Sequence, residues 1–279
     1  PVNLLIAIDP SGRFIGVEVL SQHEPVFQYG LGEAPLFEFV KQYQGVSLKQ
    51  NISIETNTRR ARHPDASRVY IDGISKATVS VRIINESVLA AALLVSRQKL
   101  GFGQARAAGS MARVRPEVLE ALTFQGLLDE GLLRHLRVSN GDMERLYAGS
   151  EGARLDEEGL RQPDQTFSDW CLAFVSVPSV AHSLLTPDSL RKLKPWIEEG
   201  DQAILVMSSG RHRVPGDDFI RGGIPERLLL RQDQLAIDMR DLDLDLKLLP
   251  GISVPADASL TVFRVPAEAG LDPGAAFDF

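Results

Sequence analysis

The segment that most constrains this chain is a long apolar stripe in its first half. Val81, Ile84, Val88, Ala92 and Val95 recur three or four residues apart, and the pattern runs to Leu100 with Gly101 just beyond. That spacing is one face of a helix. At least residues 86–100 are expected to be helical, and the start can lie as early as Ser75. Val79, Val81 and Ile83 also alternate as a strand would, so the upstream boundary stays open. The longest uninterrupted apolar run, Val88–Val95, is far below the ~18 residues a membrane span requires. No transmembrane helix is therefore expected. No signal peptide is expected either, because no basic start leads into an apolar stretch. The chain opens at Pro1 inside a strand-like pattern, as a mature form or an excised fragment would.

The stripe sits in a chain of 279 residues, a length at which two domains or subdomains are expected. The net charge of −7 argues against a general binder of nucleic acid or anionic membranes. Cys171 is the only cysteine, which excludes an intramolecular disulfide and a cysteine-based metal or iron–sulfur site.

Along the chain, Val2–Ile8 and Arg13–Leu20 read as a β-hairpin joined by Asp9-Pro10-Ser11-Gly12. A turn-rich passage follows at His23-Glu24-Pro25 and Gly30-Leu31-Gly32-Glu33. Next comes a helix carrying Pro35, Leu36, Phe39, Val40 and Tyr43, stopped by Gly45. Asn51–Ile54 and Arg68–Asp72 read as short strands around a polar loop with Arg59, Arg60, Arg62 and His63, a solvated cluster or one facing an anion. Beyond a Gly/Ala/Arg-rich loop, Pro116 is expected to start a helix, with a strand at Leu133–Val138. Polar residues 147–167 read as a domain boundary. Strands are then expected at Trp170–Val177, Ala203–Met207, Arg227–Leu230 and Leu260–Val265, with a helix at Pro187–Trp196.

Several motifs fail. Gly101-Phe102-Gly103 is followed by Arg106, where a dinucleotide fingerprint needs glycine. His23-Glu24 has Phe27 where a zincin has its second histidine. The five histidines show no metal spacing, and a structural role is expected for most. Asp241, Asp243 and Asp245 alternate with leucine, and Leu246 stands where a calcium loop needs glycine, so a half-exposed strand is expected. Neither a G-x-S-x-G elbow nor a Walker A loop is present.

Asp72-Gly73-Ile74-Ser75-Lys76-Ala77-Thr78 is the informative segment. Asp72 and Ser75 are natural N-cap residues ahead of the stripe, and Thr78 would fall in the first helical turn. There, unpaired N–H groups and the helix dipole attract an anion such as a phosphate. A capped helix and nothing more is the plainer reading of the same residues.

This segment resembles the flavinylation motif of FMN-binding domains, Asp-x-x-Ser/Thr-Gly-Ala-Thr/Ser, matching at Asp72, Ser75, Ala77 and Thr78 and departing at Lys76. His23-Glu24-Pro25 with Gly30-Leu31-Gly32-Glu33 is similar to the His-Glu-Pro-Ile…Gly-Ile-x-Glu stretch of the NosR/NirI family of membrane flavoproteins. Val79–Leu100, Ser176-Val177-Pro178-Ser179…Ser183-Leu184-Leu185 and Asp218-Phe219-Ile220-Arg221-Gly222-Gly223-Ile224-Pro225-Glu226-Arg227 resemble later stretches of that family, in the same order.

The resemblance implies an α+β fold: an FMN-binding domain over residues 1–146 with an antiparallel sheet and flanking helices, a linker at 147–167, and a β-rich domain over 168–279. It implies FMN joined through its phosphate to Thr78 by a flavin transferase, with Asp72 and Ser75 shaping the loop and the N–H groups of Lys76, Ala77 and Thr78 holding the phosphate. It places His23 and Glu24 near the isoalloxazine; a solvated strand end is the other reading of that pair. It implies a periplasmic location as part of an inner-membrane protein whose iron–sulfur clusters lie in the remainder of the longer chain. The implied role is electron supply to nitrous oxide reductase or its maturation factors in denitrification, or NirI-type support of nitrite reductase. A non-redox docking or regulatory module of the same family, with flavin weak or absent because of Lys76, is the alternative. Lys76 replaces a glycine whose backbone freedom the motif uses.

Overall fold

The computed structural model describes residues 2–55, 68–102, 111–216, 219–225, 228–233, 235–255 and 257–279. The Arg59–His63 cluster, the failed glycine position at Arg106, and Asp218, Glu226 and Arg227 of the later motif lie outside them. In chain order the elements are β1 (Val2–Ile8), β2 (Phe14–Gln22), α1 (Ala34–Lys41), β3 (Asn51–Glu55), β4 (Arg68–Asp72) and α2 (Thr78–Lys99). Then follow α3 (Phe124–Asp129), β5 (Leu133–Ser139), α4 (Asn140–Leu146), α5 (Glu157–Arg161), β6 (Thr166–Phe174), α6 (Pro178–Leu184) and α7 (Pro187–Leu193). The last strands are β7 (Gln202–Ser209), β8 (Leu230–Gln232), β9 (Leu235–Ile237), β10 (Arg240–Asp241) and β11 (Ser259–Val265). The fold is α+β.

Two compact units emerge. The first takes residues 1–111 together with 230–237 and 276–279; the second takes 112–229 and 238–275. The division therefore falls at Met111/Ala112, and 147–167 lies inside the second unit. That stretch is polar because its side chains cap and clamp. Asp156 caps α5 through the Gly159 N–H, and Arg211 reaches Asp156 at 2.8 and 3.0 Å and Asn140 at 2.9 Å. Composition alone cannot separate a capping segment from a linker.

In the first unit, β1 and β2 pair antiparallel as the sequence predicts. The Asp9 carboxylate accepts from the Ser11 N–H at 2.8 Å and the Arg13 N–H at 2.9 Å, which closes the turn. Gly12 is required there: its φ is +77°, and a Cβ would lie 2.8 Å from the Phe102 ring. The hairpin, α1 and α2 enclose Phe14, Phe27, Leu36, Phe39, Tyr43, Val81, Ile84 and Val88, all nearly or wholly buried. Each such side chain contributes about 1.5–3 kcal/mol, against ~0–1 kcal/mol for an exposed ion pair such as Lys41–Glu38. The apolar core therefore sets this unit's architecture. Strands β3 and β4 pair parallel.

Within the turn-rich passage, residues 27–31 form a π-helical turn. Two local expectations change here. The strand reading of 79–83 fails because Val81 is fully buried while Val79 and Ile83 are 61% and 54% exposed. A strand would place all three on one face. Finally, α2 is long and apolar enough to cross a membrane by length and composition. Arg82, Asn85 and Glu86 interrupt the run in the sequence, which hid this. Its Val81, Ile84, Val88 and Ala92 face closes the core of the first unit.

The second unit is built on a five-stranded antiparallel sheet in the order β10-β11-β7-β6-β5, with every residue of β7 buried. No helix starts at Pro116. The N–H groups of Glu120 and Leu122 donate instead to the Ser179 and Ser183 hydroxyls at 2.9 and 3.0 Å. Two serines one turn apart on α6 thus hold two alternate residues of an extended segment, which shows a structural use for the Ser-Val-Pro-Ser motif. The helix begins at α3, capped by Thr123. The Asp alternation is not a continuous strand, since only Arg240–Asp241 is one. Asp243 and Asp245 bind Arg221 at 2.7 and 2.8 Å, and Asp241 accepts from the Gly222 N–H at 2.9 Å. The acidic alternation and the Arg-Gly-Gly turn are one clamp. Cys171 is buried; burial, then Asp169, push its thiol up to about 11, so the free side chain is a protonated thiol near neutral pH.

Candidate functional site

The predicted segment forms a single turn between β4 and α2. The Ala77 N–H donates to the Ile74 carbonyl at 3.0 Å, closing a four-residue turn with Ser75 and Lys76 at its centre. Lys76 has φ +69°. A turn with the left-handed conformation at its third position favours glycine there, because a Cβ crowds the backbone. The residue that departs from the motif therefore adopts the conformation the motif's glycine would supply. Its side chain is exposed and leaves the turn intact.

Thr78 is the first residue of α2 and is exposed, with Ser75 and Lys76 exposed beside it and Ala77 buried. The N-cap is Ala77, and no side chain caps it. This corrects the expectation that Asp72 or Ser75 caps the helix: both precede the residue that sets the helix start. It also corrects the set of amides available to a phosphate, since the Ala77 N–H is committed to Ile74. Among the described residues nothing accepts from the N–H groups of Thr78, Val79 and Ser80, while Val81 is the first to donate back, to Ala77 at 2.9 Å. The first turn of α2 holds no acidic residue and its last turn holds Arg97 and Lys99. The basic end suits the helix dipole, and the amino end is left positive with Lys76 adding to it.

Sequence reasoning missed two residues that hold this turn. Gln42, just after α1, donates from Nε2 to the Asp72 carbonyl at 3.0 Å and accepts the Asp72 N–H on Oε1 at 2.8 Å. Tyr43, next in sequence, donates its hydroxyl to the Asn85 side-chain oxygen at 2.7 Å inside the core, and burial pushes the Tyr43 phenol upward. Neighbouring residues thus pin the two arms of the turn, one at the end of β4 and the other two turns into α2. No local pattern signals this, because Gln42 and Asp72 are thirty residues apart.

His23 and Glu24 lie on a different segment, between β2 and the π-helical turn. His23 is exposed and Glu24 half-buried, its N–H held by Gln22 Oε1 at 2.8 Å. Phe27, three residues on, enters the same core as Ala77 and Val81. The structure thus brings Asp72 to Thr78 into one turn and sets His23 and Glu24 on a separate support of the same core.

The FMN-binding domain family model matches residues 1–92, which span this turn, its Gln42–Tyr43 support and the His23–Glu24 segment. The regulatory protein NosR of Pseudomonas aeruginosa is 30% identical over 98% of this chain, and that of Stutzerimonas stutzeri 29% over 98%. The chain is a homologue of NosR and NirI. The NirI protein of Paracoccus denitrificans is 29% identical over the whole chain. The chain covers only 37–38% of the length of these relatives. No solved structure matches it. An exposed hydroxyl at an uncapped helix start, beside a lysine and with no carboxylate in the first turn, fits the phosphate end of FMN.

Proposed function

We propose that this chain is the flavin-carrying, periplasmic electron-transfer part of a NosR-type membrane protein, with FMN esterified through its phosphate to Thr78. The observation that carries the reading is the exposed Thr78 hydroxyl on the open amino end of α2, behind a turn that keeps its left-handed residue despite Lys76. The N–H groups of Thr78, Val79 and Ser80 and the Lys76 ammonium are the groups that would hold the phosphate. Gln42 and Tyr43 fix the arms of the turn. On the family resemblance, His23 and Glu24 serve the ring end, where a carboxylate or imidazole biases the potential and its proton coupling. Bound FMN supplies one- or two-electron carriage, and no substrate is turned over at the site.

The proposed partners are a flavin transferase, the membrane portion of the same protein with its iron–sulfur clusters, and nitrous oxide reductase or its maturation factors. The similarity to NirI makes a nitrite-reductase partner the variant of this reading. The name "regulatory protein" carried by two relatives favours a second reading, a docking module without electron transfer. To separate them, the chain is co-produced with a flavin transferase, photoreduced without oxygen and mixed with oxidised nitrous oxide reductase. Flavin reoxidation well above the buffer rate supports the redox reading. Reoxidation at background sinks it and favours docking.

A further inference from the structure

The second unit holds a cluster that the sequence separates widely. His135 on β5 lies directly opposite Cys171 on β6, which lies directly opposite Met207 on β7. Directly paired residues of an antiparallel sheet stand side by side on one face, ~4.5–5.5 Å apart at Cβ. The three border a cavity of about 90 Å³ that Phe124, Val254 and Pro255 also line, with the polar Asp169, Ser209 and Ser253. Cys171 and Met207 are 6% and 2% exposed, whereas the His135 side chain is 44% exposed, which gives the cavity a route to solvent. The thiol has no hydrogen-bond partner among the described residues. Asp169, two residues before Cys171 and on the same face, contacts His135 Nε2 at 2.8 Å. That contact fixes the ring and leaves Nδ1 as the free nitrogen, as an outer carboxylate does for a metal-binding imidazole.

The donor chemistry selects the ligand. Among the described residues no three His, Cys, Asp or Glu side chains are placed to hold a metal, which disfavours zinc and the hard cations. A thiolate and a thioether beside one imidazole are a soft donor set of the kind that selects monovalent copper. A metal ~2.3 Å from each of two sulfurs spans roughly the spacing of directly opposed residues. We propose that His135, Cys171 and Met207 form a Cu+ site in the second unit. This revises the expectation that a single cysteine excludes such a site, which holds only for centres built from several cysteines. On binding, the sulfur–copper bond replaces the S–H bond and the proton leaves to water. The cation arrives as Cu+ and no electron moves.

The test is anaerobic competition of the chain against bicinchoninate for Cu+, with copper-edge X-ray absorption on the complex. Wild type should withdraw one Cu+ per chain and show two sulfur scatterers and one nitrogen. Cys171→Ser should reduce uptake to background. Met207→Leu, which conserves volume, should weaken it at least tenfold with an unchanged unfolding midpoint. Asp169→Asn should weaken it about 10–100-fold, as loss of an outer carboxylate does. If Cys171→Ser does not fold, Met207→Leu decides alone. Absence of uptake by wild type, or equal uptake by wild type and Met207→Leu, overturns the proposal.

Discussion

Lys76 offers the sharpest test of how the turn is built. Its φ of +69° places a side chain where glycine is the natural occupant, and its exposure means that no packing confounds a substitution. A non-glycine residue in the left-handed region costs ~1–2 kcal/mol. Replacing it by glycine removes that cost but adds ~0.5–1 kcal/mol of unfolded-chain entropy. Lys76→Gly should therefore stabilise the first unit by about 0.5–1 kcal/mol. Lys76→Asn should be near neutral, since Asn tolerates this region. Lys76→Val should destabilise by about 1 kcal/mol or more, because a β-branched side chain fits it worst. Urea unfolding of the three variants, followed by a probe in the first unit, gives the ranking. Equal stability of the Lys76→Val and Lys76→Gly variants would refute the left-handed turn. So would a clear loss of stability in Lys76→Gly.

Three further predictions concern the supports of the two units. Tyr43→Phe leaves the buried Asn85 oxygen without its partner and should cost about 1–3 kcal/mol; the double variant Tyr43→Phe/Asn85→Leu should recover much of that loss in a double-mutant cycle. Gln42→Leu removes both bonds to the Asp72 backbone and should lower flavin incorporation, measured as bound flavin per chain, while Thr78 remains intact. Asp156 is held at about 2, first by its hydrogen bond from Arg211 and then by the Gly159 N–H. Its contribution is whole above ~pH 4, the unfolded value, and is lost as pH falls through about 2. Urea midpoints of wild type and Asp156→Asn should thus differ at about pH 6 and converge toward about pH 2.

What the sequence makes legible follows the range of the interactions. The β1–β2 hairpin, α1 and the body of α2 are written in local periodicity and turn residues, and the structure matches them closely. Thr78 and its turn are legible because a motif of seven consecutive residues carries them. The capping detail is not: whether Ser75 or Ala77 ends up as the N-cap depends on a backbone bond from Ala77 to Ile74 that no composition rule encodes. Gln42 and the Ser179–Ser183 clamp act on residues thirty to sixty positions away. His135, Cys171 and Met207 meet only through strand register. The boundary expected at 147–167 falls elsewhere because polar residues serve caps as readily as linkers. Residues 230–237 return to the first unit because Leu235 is buried in its core.

The central claim is that Thr78 carries the flavin. Denatured intact mass of the chain co-produced with a flavin transferase measures it directly. Wild-type mass should rise by one FMN less one water, Ser75→Ala should show the same increase, and Thr78→Ala should show none. An unmodified wild type alongside a modified Lys76→Gly would contradict the claim, as would an adduct that survives in Thr78→Ala.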